Sequence, residues 1–342
     1  MPQISLLQPT VLNGFLRERP FPQYLLGLQL MGRPLDWPYP YWKYDIIRGN
    51  NKMSKPNVPN SEAHMRGMLG MRQLTGSFIY FRDKKQFQAT TLYWLRQPGE
   101  VARSNAEAAV AREVAELDDA QMFFLEYAFW QAFLPATFGT LKVSRFDSPP
   151  VDINYQFSTT HNVVPSVLWS DLTNSNPAAD LAAWKTTIIA DSGFIPQNVF
   201  CNNQTFQRYV IPNAKMQGLW SPWMKEQYFR LGTVLGLFGY DWTMYDNQWV
   251  DDWTTPGVTA SSYYIPTGNM ILAALDGAGV GPVGALQGPS ADHDALRQNP
   301  NWVGKFGKSW LENDPSNRVH LQEWSVIPTY ERPDNFIVAK VI

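Results

Sequence analysis

Residues 100–135 read EVARSNAEAAVAREVAELDDAQMFFLEYAFWQAFLP, with no glycine or proline before Pro135. Alanine is frequent, and Ala106, Val110, Val114, Leu117, Phe124 and Ala128 recur at helical spacing. Glu100 stands near the start, where a negative charge suits the positive end of the helix dipole. Pro135 and Gly139 stop the run. The pattern predicts one helix of about 35 residues, on the order of 50 Å long at 1.5 Å per residue. Its first half carries Arg103, Glu107, Arg112, Glu113, Glu116, Asp118 and Asp119 beside a narrow apolar stripe, so it is expected to cross a surface. Its second half, with Met122 to Leu125, Tyr127, Phe129 and Trp130, is apolar nearly all round and is expected to be buried.

Upstream, Gly76 to Leu95 is strand-like: Phe78, Tyr80, Phe87, Thr91, Tyr93 and Leu95 favour β structure, and Asp83-Lys84-Lys85-Gln86 reads as a polar turn. Residues 48–76 before it read as a loop, with Gly49, Pro56, Pro59, Gly67 and Gly70, made locally basic by His64, Arg66 and Arg72. A loop of that length in a compact domain is usually functional. Together the two stretches predict a projecting, two-stranded flap. Residues 1–50 hold Pro20, Pro22, Pro34, Pro38 and Pro40, which disfavour long regular elements. One short helix fits around Pro9 to Leu16. The rest, with Trp37, Tyr39, Tyr41, Trp42 and Tyr44, reads as an extended arm that packs by its aromatics, or as an irregular part of a globular core.

Downstream, residues 140–175 read as strands and turns. Pro177 to Ala190 is a helix that Asn176 can cap and Gly193 ends. Asn198 to Cys201 is a short strand, and Gln204–Ile211 and Pro222–Leu231 are helices. Val234–Tyr245, Ser262–Leu275, Arg318–Pro328 and Asn335–Ile342 are strand-like, and residues 276–300 are Gly/Pro/Ala-rich and loop-like. Strand and helix mix without a βαβ rhythm, which makes the class α+β.

The chain has 342 residues, enough for about two domains. Its formal net charge is -2, which argues against a dedicated nucleic-acid binder. Charged residues make up only 17% and aromatics 14%, with 14 Trp, so the chain has apolar surface to cover and large assembly interfaces are one outlet. One cysteine, Cys201, excludes an intrachain disulfide framework and a Cys-rich zinc site. No run of apolar residues is long enough for a membrane span, and the N-terminus lacks the layout of a secretory signal, so a protein made in the cytosol is expected.

No catalytic constellation stands out. Gly279 to Gly284 spells GxGxxG, but Pro282 interrupts it and no helix pattern follows. Gly307-Lys308-Ser309 resembles the end of a phosphate-binding loop, but Trp302 stands where its first glycine belongs. Asp292-His293-Asp294 lacks a second histidine at metal-ligand spacing and reads as a polar loop. Cys201 sits in an apolar run and reads as a buried thiol. Neither a cofactor nor a metal is expected. The carboxylate pairs Asp251-Asp252 and Glu312/Asp314 amid abundant Trp leave a carbohydrate-active enzyme as the alternative to an assembly subunit.

The order of elements resembles the major capsid proteins of tailed bacteriophages with the HK97-like fold, and among them the lambda-type capsid protein E family. Tyr44-Asp45-Ile46-Ile47 is similar to the family's strand before its extended loop. Lys52 to Gly76 and Phe78 to Lys85 are similar to that loop, and Glu100 to Pro135 fits the spine helix. Pro177 to Gly193, then Asn198–Cys201 with Gln204–Tyr209, fit the approach to the axial domain. Ile265 to Leu272 resembles a family strand, and Trp324 to Pro328 with Arg332 to Val338 resembles its C-terminal signature, the most specific of these matches.

The resemblance implies an N-terminal arm (1–50), an extended loop (51–95), a peripheral domain with the spine helix at about 100–134 (96–194), an axial domain (195–305) and returning C-terminal strands (306–342). It implies a structural subunit that self-assembles into hexamers and pentamers around double-stranded DNA held without sequence specificity. A scaffolding protein, a portal and a decoration protein are the implied partners, with no membrane. The implied place is the virion, and the host cytoplasm during assembly. Inter-subunit contacts are expected at Arg66, Arg72, Phe78, Tyr80, Arg82, Lys84, Lys85, Trp37 and Trp42.

Overall fold

The computed structural model describes residues 9–49, 71–88, 100–143, 151–231, 233–250, 261–275, 281–313 and 316–342. The fold mixes helix and sheet, and the chain forms two compact units of three segments each. One comprises Met1–Trp42, Thr75–Glu126 and Gly284–Thr329, the other Lys43–Leu74, Tyr127–Val283 and Tyr330–Ile342.

The first unit is built on β16 (Ser316–Tyr330). Strand β4 (Ile79–Gln88) lies antiparallel along one side of it, from Gln88 opposite Asn317 to Ile79 opposite Val326. Strand β15 (Phe306–Asn313) lies antiparallel along the other, from Phe306 opposite Glu323 to Asn313 opposite Ser316. Strands β14 (Val283–Gln287) and β1 (Leu35–Asp36) complete the five-stranded sheet. Residues paired in register share a face. One face of β4 meets the long helix (Glu100–Gln131). There Phe81 lies edge-on to Phe124 with ring centroids 5.1 Å apart, Asp83 accepts from Gln121 at 2.9 Å, and Lys85 pairs with Glu113 and Glu116. The expected turn at Asp83–Gln86 is therefore mid-strand. Its charges alternate between two faces, so a polar run here satisfies a half-exposed strand.

The N-terminal segment is docked on this unit rather than lying free of it. Helix α1 (Pro9–Glu18) packs Leu12 and Leu16 with Phe87, Val110 and Val114. A Cβ on Gly307 would stand 2.8 Å from a Leu16 methyl and 3.0 Å from one of Leu12, so a larger residue here would push these buried side chains aside. Asn13 accepts from the Gly307 amide at 2.8 Å. Arg19 pairs with Asp118 at 3.0 Å and Asp119 at 2.7 Å. Helix α2 (Leu26–Met31) has no side-chain cap of its own. Glu126 supplies one from the long helix, accepting from the Gly27 and Leu28 amides at 2.8 Å each.

The second unit holds two strand pairs, β5 (Thr140–Val143) with β6 (Val151–Asn154) and β11 (Gln248–Val250) with β12 (Ser261–Tyr263), and a six-stranded sheet ordered β7-β17-β13-β8-β10-β9, from β7 (Asn162–Val163) through β17 (Phe336–Lys340), β13 (Asn269–Ala273), β8 (Asn198–Cys201) and β10 (Tyr240–Met244) to β9 (Thr233–Leu237). One face packs Val199, Cys201, Met270, Leu272, Ile337 and Ala339 against Leu181, Trp184 and Ile188 of the helix Pro177–Ser192. Phe200 projects from the opposite face, where Trp130 meets it at 6.0 Å. A sheet buried on both faces explains why its central strands are almost uniformly apolar. Asn176 caps the helix through the Ala179 amide, and Gly193 closes it with φ 81°. The expected single strand at 234–245 is a hairpin instead: Phe238 and Gly239, at φ 60° and 77°, turn the chain between β9 and β10. The expected loop at 276–300 contains β14 and a short helix, His293–Gln298. No helix among the described residues is long and apolar enough to cross a membrane.

Candidate assembly surface

Strands β2 (Tyr41–Ile47) and β3 (Met71–Ser77) pair as a separate two-stranded sheet, and residues 50–70, where the sequence predicts a loop, lie outside the described residues. The two-stranded element here is thus β2 with β3, whereas Ile79–Gln88 belongs to the large sheet of the first unit. Arg72 is exposed on β3; Arg66 lies outside the described residues. Trp42 is buried on β2 and donates its indole N–H to the Ser77 carbonyl at 2.9 Å. Phe78 is buried against Gly288. The rings of Trp42 and Phe78 therefore face the interior of the single chain. Trp37 is half-buried, donates to the Tyr41 carbonyl at 2.8 Å and lies edge-on to Tyr39, beside the exposed Leu35, Tyr39 and Tyr41.

The remaining expected residues divide between the two faces of β4. Lys85 faces the long helix. Tyr80, Arg82 and Lys84 face the other way by the two-residue period. The Tyr80 hydroxyl donates to Glu323, which also accepts from Ser290. Burial holds the Glu323 carboxyl above its usual range, while hydrogen bonds from Lys308 and the Asp294 amide keep the Asp292 carboxyl below its own despite desolvation. Arg82 meets Asp292 at 3.2 Å, and Lys308 meets the same carboxylate at 2.7 Å. Lys84 is exposed and stands opposite Leu321, which in turn stands opposite Lys308, so one cross-strand row carries both lysines.

In the sequence, Asp292 reads only as part of a polar loop and Lys308 only as the end of a glycine motif, and nothing singles out Arg297. The two-residue recurrence of Lys308 and Trp310 in β15 is the signal that marks this face. Asp292 caps the helix His293–Gln298 through the Asp294 amide. Gly284 lies in β14 and Gly307-Lys308-Ser309 in β15, so no helix opens on either glycine motif, and Gly279 lies outside the described residues. Asp251, Asp252 and Asp314 lie outside the described residues. Cys201 is fully buried, and burial pushes its thiol pKa up, away from nucleophilic chemistry. Among the described residues no group of three His, Cys, Asp or Glu side chains is placed to hold a metal ion.

A sheet-and-long-helix unit, a second unit with a mixed sheet, and a separate strand pair of β2 with β3 make this an HK97-like capsid fold. Two solved structures carry that likeness. The putative capsid protein of a prophage of Escherichia coli CFT073 superposes with a TM-score of 0.61 and 14% identity over 80% of each chain. A phage-related protein from Bordetella bronchiseptica RB50 gives 0.55 and 12%, over 97% of this chain and 96% of that one. No curated protein matches the sequence. The family model of phage major capsid protein E matches residues 9–341, and the chain belongs to that family. It is a structural subunit of a phage capsid that associates with copies of itself, and its place is the virion.

Proposed function

We propose that copies of this chain form hexamers and pentamers that close an icosahedral shell around double-stranded DNA, without a catalytic role and without reading the DNA sequence. The family match across residues 9–341 carries this reading. A net charge of -2 fits a container that encloses DNA without gripping it. The first unit serves as the peripheral domain, with the long helix as its spine. The second serves as the axial domain, and the chain joining β2 to β3 is the extended loop that lies over a neighbouring subunit. Arg66, Arg72, Lys84 and Trp37 are the contact residues of this reading. A scaffolding protein guides closure, a portal occupies one vertex, and a decoration protein binds the closed shell. Assembly takes place in the host cytoplasm.

The test is negative-stain electron microscopy of the purified chain, alone and with the proteins encoded beside it. Closed shells, or six-fold and five-fold rings, are expected. Deleting residues 51–70 is expected to leave folded subunits that form no shells. A monodisperse monomer under every condition overturns the reading, and intact shells from the deletion overturn the role of the loop.

A further inference from the structure

On the sheet face of the first unit that meets the long helix, His320 of β16 is 0% exposed. Cross-strand register puts Lys85 of β4 on one side of it and Ser309 of β15 on the other. Along β16 the two-residue period sets Arg318 and Gln322 on the same face. Neither ring nitrogen makes a well-formed hydrogen bond to a described residue. A neutral ring is tolerated there, whereas an imidazolium would be a buried, unmatched charge. The carboxylates of this face are already engaged. Asp83 of β4 accepts from Gln121, Glu113 and Glu116 of the long helix hold Lys85, and Asp118 holds Arg19 and Lys305. Helix α1 turns Leu12, Asn13 and Leu16 inward and leaves Arg17 and Glu18 exposed. The charges of the opposite face lie across the sheet, among them Glu323 and the Arg82, Arg297 and Lys308 side chains that line a basic hollow of about 680 Å3. Burial accordingly lowers the His320 pKa from 6.5 to about 4, against a weaker upward pull from the Lys308 backbone and the Gln322 side chain. The buried His161 of the second unit differs. Its Nδ1 lies 2.7 Å from the Phe336 carbonyl and its Nε2 2.9 Å from Asp191, so a proton on either nitrogen meets an acceptor.

We propose that His320 is an acid-sensitive latch: on taking up a proton it releases the β4–β16–β15 face from the long helix, and the first unit opens while the second stays folded. The protonated ring has two N–H donors, no free carboxylate on its face, and Lys85 and Arg318 as neighbours of like charge. Opening the face lets water solvate it. The sign follows from linkage. The closed state resists the proton and the open state does not, so the open state binds more protons between 6.5 and about 4. The closed state is therefore fully favoured above 6.5 and loses ground as pH falls through that window, by roughly 300-fold in the closed-to-open ratio. Glu323 acts in the opposite direction, because a raised carboxyl pKa favours the closed state in acid. Its contribution is common to chains that differ only at residue 320. The device requires neither a partner nor a shell, so it stands apart from the capsid reading.

The experiment is hydrogen exchange by mass spectrometry on the full chain and on His320→Gln, which keeps a polar side chain but cannot titrate. Protection is followed from above 6.5 down to about 4, corrected for the intrinsic pH dependence of exchange. Peptides covering 317–326 of the parent are expected to lose protection by roughly 300-fold more than those of the variant. Peptides covering 336–340 in the second unit are expected to stay protected in both chains. Equal loss in parent and variant overturns the proposal, and so does simultaneous loss at 317–326 and 336–340 in the parent, which is general acid unfolding. A second measurement needs no variant: slow exchange of the imidazole Cε1 hydrogen in the parent reads the protonation of each histidine separately. A His320 midpoint well below 6.5 is expected, and a midpoint at the ordinary value overturns the latch even if His320→Gln fails to fold.

Discussion

Asp118→Asn tests the buried ion network of the first unit. The Asp118 side chain is 0% exposed and meets three donors: Arg19 at 3.0 Å, Lys305 at 2.5 Å and Gln322 at 2.9 Å. Removing one member of a buried pair strands the other, at a cost of about 3–5 kcal/mol. Arg19 keeps Asp119, and Lys305 keeps the face of Trp324, 4.6 Å away, worth about 1 kcal/mol. The loss should therefore fall at the lower end, about 3 kcal/mol. With a urea dependence of about 2 kcal/mol per molar, the midpoint for this unit should drop by about 1.5 M. Hydrogen exchange on peptides covering residues 317–326, followed through a urea series, isolates that unit. The pH dependence has a definite sign. Burial already lowers Lys305 from its ordinary 10.5, against the pull of Asp118. Without Asp118 its folded pKa falls further. The unfolded chain then binds more protons between the two values, so stability rises with pH across that window and the deficit narrows toward 10.5. The paired replacement Asp118→Leu with Lys305→Met should cost less than Asp118→Asn alone, because it strands no charge. A variant within about 0.5 kcal/mol of the parent, or a double variant worse than either single one, refutes the reasoning.

Two further outcomes follow from other polar ties in the same unit. Glu126→Gln should leave the first amides of α2 with a weaker acceptor and cost about 1–3 kcal/mol, seen as faster exchange at Gly27 and Leu28; unchanged exchange there would remove the cap from the account. Burial raises Glu323 above its ordinary 4.5, so the folded state binds the extra proton between the two values and stability falls as pH rises through the folded one. Glu323→Gln should flatten that slope, and a variant that keeps the parental slope in a pH series of urea midpoints shows that another group produces it.

The features legible in the sequence are those with local causes. The long helix runs from Glu100, as its spacing predicts, and ends at Gln131, a turn short of Leu134. Asn176, Pro177 and Gly193 mark the ends of their helix because caps act within a few residues. The misreadings arise from distance. The partner of β4 lies more than two hundred residues away in β16, and nothing around Asp83-Lys84-Lys85-Gln86 announces it, so charge reads as turn. The docking of the N-terminal segment depends on Arg19 and Glu126, whose partners stand about a hundred residues off. For the surface, aromatic content marks Trp37, Trp42 and Phe78 alike, and only the fold separates the half-buried ring from the two that are enclosed. Arg297 and Lys308 carry no local sign of meeting, because a sheet and a helix from different stretches bring them to one hollow.

The two units are specified in different ways. The sheet of the second unit is apolar on both faces, and burial of Met270, Leu272, Ile337 and Ala339 stabilises it without demanding particular partners. The first unit joins distant segments through polar ties as well as apolar packing: Arg19 to Asp118, Gly27 to Glu126, Tyr80 to Glu323. Such ties add little stability over apolar packing, yet they penalise every wrong arrangement, since a misplaced partner leaves a buried charge unmatched. A one-residue slip of β4 along β16 would carry Tyr80, Arg82 and Lys84 to the helix face and expel Phe81 and Phe87 from it. Glu323 would then lose the Tyr80 hydroxyl, and Asp292 would lose Arg82. The polar ties therefore fix the register of β4, and with it the side on which the basic hollow forms.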